Sequence, residues 1–127
     1  MLYSILIYGS EQRVADWTAQ EEQEVMGRHA ELRQDLKAER RLGPVFRLQP
    51  NAAKTVRKYR DRRFITDGPF AETKEQLMGI YVVDCATEED AMAAAERLGF
   101  ETGVFEIRPV IWLDPGDIPA HTPEPQK

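Results

Sequence analysis

The chain has one cysteine, Cys85, and two histidines, His29 and His121, among 127 residues. A single thiol cannot close an intrachain disulfide, which suits a reducing compartment, and a cytoplasmic location is the expectation. So few imidazoles and thiols exclude a zinc site built from a His/Cys cluster. Apolar runs are short, and none approaches the ~20 residues needed to span a bilayer. Segment 1–8 is apolar but has no basic leader and stops at Gly9-Ser10-Glu11, so it does not read as an export signal. The chain contains no G-x-G-x-x-G, no phosphate loop and no G-x-S-x-G, which leaves dinucleotide binding, ATP binding and a hydrolase-type serine unsupported. No cofactor is expected.

Hydrophobic residues make up 42% and charged residues 31% of the chain, the balance of a soluble globule, and the length suits one domain. The net charge of -5 disfavours nucleic acid as the main partner. Segment 54–63 runs against that balance, with six basic residues in ten, but it alternates as a solvated hairpin does. Four prolines fall in the eleven residues from Pro115. Residues 1–113 therefore read as the folded domain and 114–127 as a Pro-rich mobile tail.

The periodicity predicts strands over 1–8, 45–49, 55–59, 63–66, 77–85 and 104–112. The first is apolar on both faces and reads as central; Pro109 places the last at an edge or a bend. Helices are predicted over 18–40 and 87–98. Thr18 with Glu21, and Thr87 with Asp90, have the spacing of capping boxes. Gly43-Pro44 is the expected stop of the first helix and Gly99 that of the second. Without the 55–66 hairpin, the order is the βαββαβ pattern of a ferredoxin-like α+β fold, both helices on one face of the sheet. An apolar sheet face left open on the other side predicts a homodimer joined sheet to sheet.

Residues 66–83 concentrate the candidate chemistry. Asp67-Gly68-Pro69 forms a stiff bend that holds a carboxylate in one place. A charged segment and an apolar strand follow. His29 lies within the apolar stripe of the first helix, among Val25, Leu32 and Leu36. It reads either as a core histidine with one hydrogen bond or as a general base. Asp67 reads equally as an organiser of its own turn. Lys74 and Glu72 read as solvated charges or as ligand contacts, and Tyr8 as core packing or a pocket wall.

The run Asp67-Gly68-Pro69-Phe70, with Glu72, Lys74, Glu75, Gly79 and Tyr81, resembles the signature of the DGPF branch of the YCII-related family. The resemblance implies a dimeric α+β barrel with a pocket between helix and sheet. It pairs His29 with Asp67 as catalytic residues and adds Tyr8, Phe70, Glu72, Lys74 and Tyr81 as binding candidates; Arg108 is a further anchor for an anionic group. Met78 stands where relatives usually carry a second glycine. Two functions are compatible with it. One is a cofactor-independent lyase-type enzyme, in which His29 abstracts a proton and Asp67 orients the ring. The other is a non-catalytic ligand-binding or regulatory module linked to extracytoplasmic-function sigma factors.

Overall fold

The computed structural model describes residues 1–99 and 102–122. In chain order the elements are β1 (Leu2–Gly9), α1 (Glu11–Ala15), α2 (Ala19–Ala38), β2 (Leu42–Arg47), β3 (Lys54–Tyr59), β4 (Arg62–Asp67), β5 (Gln76–Asp84), α3 (Glu88–Leu98) and β6 (Val104–Pro109). Four strands form an antiparallel sheet of order β2-β5-β1-β6, the ferredoxin-like arrangement, and β3-β4 stand apart as a two-stranded hairpin.

Local chemistry explains most boundaries. The Thr18 hydroxyl accepts from the Glu21 amide while the Glu21 carboxylate accepts from the Thr18 amide, so two orphan donors at the start of α2 are satisfied together. The Thr87 hydroxyl does the same for the Asp90 amide in α3. The helix stop differs from the sequence expectation. α2 ends at Ala38 and the chain turns through Arg40 at φ 59°, ahead of Gly43-Pro44. Those two residues lie inside β2, where the register shifts between Leu42 and Val45. An edge strand tolerates a proline because its outer amide has no ladder to feed. The short α1 was not expected from periodicity; five residues show none, and only its Ser10 cap, which accepts from Arg13, marks it. β6 is shorter than 104–112 and is an edge strand, one of the two placements that Pro109 allowed.

Strand alternation divides the sheet into two faces. Tyr3, Ile5, Tyr81 and Val83 point to one side and join Leu32 and Leu36 of α2 with Ala91, Ala94, Ala95 and Leu98 of α3 in a single core. The alanines let α3 approach the sheet closely. The next residues along each strand point the other way. Cross-strand pairing sets Leu6 beside Ile80 and Ile80 beside Phe46, a row that no helix among the described residues covers, and Phe46 is half exposed.

Gly79 marks a close crossing between β5 and β2. A Cβ there would stand 2.7 Å from the Phe46 carbonyl oxygen, inside any tolerable contact. Gly79→Ala is therefore expected to cost about 2 kcal/mol, the usual scale of overpacking, read as a lower urea midpoint with an unchanged m-value. An unshifted midpoint would mean that the two strands part without strain. The C-terminal tail carries no helix or strand as far as Thr122, and the remainder of the expected tail, 123–127, lies outside the described residues.

Candidate functional site

The site forms where α2 crosses the sheet. His29 and Arg33 are four residues apart, so one helical face presents both. That face lies over Tyr81, which β5 places on the covered side of the sheet and which is 1% exposed. His29 Nδ1 lies 2.8 Å from the Tyr81 hydroxyl, with the rings tilted by 51° at a centroid separation of 5.5 Å. Arg33 Nη1 donates to the same hydroxyl over 3.3 Å. Arg47, from β2, reaches back to α2, pairing with Glu22 at 3.2 Å and donating to Met26 Sδ at 3.6 Å.

These neighbours fix the charge state of the imidazole. Burial first, then the positive charges of Arg33 and Arg47, lower the His29 pKa to about 4. The ring is therefore neutral at physiological pH. Burial raises the Tyr81 pKa, opposed in part by Arg33, so the phenol is neutral as well.

His29 and Arg33 open onto a broad depression that also takes in Trp17, Phe46, Arg47 and Met78. Its margin includes residues of the tail, among them Ile118 and His121. Arg13, Arg33, Lys37, Arg47 and Lys74 line it, against Glu21, Glu22 and Glu75. The lining is thus basic in a chain that is acidic overall. Glu22 is committed to Arg47, and Arg33 has no ion pair among the described residues.

The residues singled out from the sequence divide into two groups. His29, Tyr8, Lys74 and Tyr81 border this depression. The Tyr8 hydroxyl is 3.5 Å from Glu106. Asp67, Phe70, Glu72 and Arg108 are not in its lining. Asp67 ends β4, with its side chain 88% exposed and bonded to Lys54 at 2.6 Å, and that bond holds its carboxyl below the usual range. The His29–Asp67 pair that the resemblance implied is therefore not formed within the chain: Tyr81 takes the position at the imidazole, and Lys54 takes the carboxylate. The cause is topological, because the hairpin bearing Asp67 does not join the main sheet. Gly68 beyond it adopts φ 98°, which disfavours any side chain there. Phe70 is exposed, with its carbonyl accepting from Arg57, and Glu72 is exposed nearby. Arg108 is exposed on β6 opposite Ser4, on the face away from the helices.

Sequence reasoning missed Arg33 and Arg47. The signal for Arg33 was present, since it follows His29 by one helical turn. Nothing in the sequence signalled Arg47, because its approach to α2 depends on strand order.

Known sequences match the chain over most of its length. A family model described as the YCII-related domain matches residues 1–114. A relative from Rhizobium meliloti (strain 1021), described as "Uncharacterized protein R00369", is 39% identical over 124 residues, covering 94% of this chain and all of that protein. The match runs through all three helices, all four strands of the sheet and the hairpin, and on that ground the chain belongs to the YCII-related family.

Proposed function

We propose that the protein takes a small anionic molecule into the depression over α2 and acts on it by cofactor-independent, lyase-type chemistry that depends on His29. The observation that carries this reading is the neutral, half-buried imidazole on Tyr81 with two guanidinium groups close enough to shift its titration. A neutral imidazole offers a hydrogen bond without adding a further positive charge beside two guanidinium groups. Arg33, which has no ion pair among the described residues, supplies attraction for a carboxylate. Calorimetric titration with a panel of small carboxylates tests it. Binding by the wild type should weaken about tenfold in Arg33→Gln, the loss of one charge-assisted hydrogen bond. Conversion of the bound molecule should be visible by mass spectrometry and absent in His29→Ala. Equal binding by both proteins would remove the anion reading.

One observation favours a second reading. His29 has no carboxylate partner among the described residues, and Asp67 is tied to Lys54. A site without that pair serves a non-catalytic ligand-binding or regulatory module, of the kind the DGPF resemblance connects with extracytoplasmic-function sigma factors. Saturable binding with the ligand recovered unchanged would favour it.

Both readings include a homodimer. The row of Leu6, Ile80 and Phe46 on the uncovered sheet face supplies an apolar surface for a second copy. Phe46 is 49% exposed, so Phe46→Asp leaves the single chain folded. Light scattering should report a dimer for the wild type and a monomer for this variant. A wild-type monomer at micromolar concentration would overturn the assignment.

A further inference from the structure

The hydrogen bonds at Tyr81 have a direction. A guanidinium only donates, so the phenol oxygen accepts from Arg33. The phenol has one proton to give, and the partner within reach is His29 Nδ1 at 2.8 Å. Were Nδ1 to carry a proton and donate instead, the oxygen would accept twice and the Tyr81 proton would have no acceptor among the described residues. Tyr81 is almost wholly buried, and leaving a buried donor unmade costs roughly 1–3 kcal/mol. The satisfied arrangement runs from Arg33 to the Tyr81 oxygen, and from the Tyr81 proton to Nδ1.

We infer that Tyr81, itself oriented by Arg33, holds His29 in the Nε2–H tautomer, so that His29 meets a ligand as a hydrogen-bond donor to a carboxylate or carbonyl oxygen rather than as a base. Tyr81 is a positioning residue: it acts through the imidazole. The lowered pKa agrees, since it keeps the ring from becoming doubly protonated near neutrality. Nε2 has no hydrogen-bond partner among the described residues, while His29 borders the basic depression. A neutral donor near the guanidinium groups of Arg33 and Arg47 polarises an oxygen without adding a third charge. This changes the part played by His29 in any chemistry. An imidazole with its Nδ1 lone pair engaged and a proton on Nε2 stabilises negative charge developing on the substrate oxygen. Removal of a carbon-bound proton then requires a different group.

The ligand half of this inference rests on the anion-binding reading; the tautomer half does not. Long-range proton–nitrogen correlation spectra of the full, ligand-free chain at pH 7 test the latter directly. The spectrum holds two imidazoles, and His121→Gln removes one of them. The expected result is an Nε2–H tautomer with an unprotonated Nδ1. Tyr81→Phe should convert it to a mixture, and the His29 ring should respond more than any other reporter. An Nδ1–H tautomer or a charged imidazole in the wild type overturns the positioning role, whether or not anions bind. Acetate, benzoate and inorganic phosphate are then titrated in turn. A saturable shift of the Nε2–H proton with any of them supports the donor role, and its loss in Arg33→Gln links it to the guanidinium. The expected tautomer with no Nε2–H response to all three overturns the ligand half alone.

Discussion

Lowering the pH from 7 toward 4 should destabilise the protein through His29, and a variant that cannot charge at this position should escape most of that loss. In the unfolded chain the ring titrates near 6.5, and in the fold near 4. Between these values the unfolded state binds a proton that the folded state refuses, so stability rises with pH across the window. The contribution is complete above about 6.5 and gone below about 4. An unscreened shift of that size is worth somewhat more than ~3 kcal/mol, but the ring borders an open depression, and solvent screening brings the expected effect to the order of 2 kcal/mol. Urea unfolding at pH 7, 6 and 5, followed by circular dichroism, should show wild-type stability falling faster than that of His29→Gln. His121→Gln, altered at an exposed tail residue, should track the wild type. Parallel curves for wild type and His29→Gln would show that the imidazole is hydrated rather than confined by α2 and the sheet. The comparison needs no ligand, so it measures the environment of the site before any substrate is known.

What could be read from the sequence followed the range of the interactions involved. Thr18 with Glu21 and Thr87 with Asp90 mark helix starts because a cap is settled within four residues. The central place of β1 was legible from unbroken apolarity, and Pro109 narrowed β6 to an edge or a bend, of which the edge is found. Gly43-Pro44 misled because the same dipeptide suits a helix stop and a bulged edge strand, and the turn at Arg40 had already ended α2. At the site, position 29 was legible as a histidine on the buried side of a helix. Its partner was not, because Tyr81 lies 52 residues away and meets it only through strand register. Asp67 looked suited to that role as a rigidly presented acid. Its hairpin leaves the sheet, however, and an exposed carboxylate beside Lys54 has no call on a buried imidazole.

Leu32→Ala should produce the largest loss of stability of any single truncation near the site. Leu32 is 1% exposed and occupies the centre of the core between α2, α3 and the sheet. It also falls between His29 and Arg33 in sequence, so its packing sets how α2 lies over Tyr81. Removing three buried carbons forfeits their transfer free energy and leaves a cavity, together about 3 kcal/mol. Domains of this size have only ~5–15 kcal/mol in hand, so the midpoint in urea should fall by a large fraction. The effect should extend to the site. A helix that relaxes into the cavity lengthens the bonds at the Tyr81 hydroxyl, and the His29 tautomer preference should weaken along with stability. Val56→Ala on the detached hairpin provides the contrast. Val56 is 63% exposed in the single chain, so truncation there should change stability by less than about 0.5 kcal/mol. A Leu32→Ala loss no larger than that of Val56→Ala would mean that α2 is held by something other than its apolar stripe, and the positions assigned to His29 and Arg33 would fall with it.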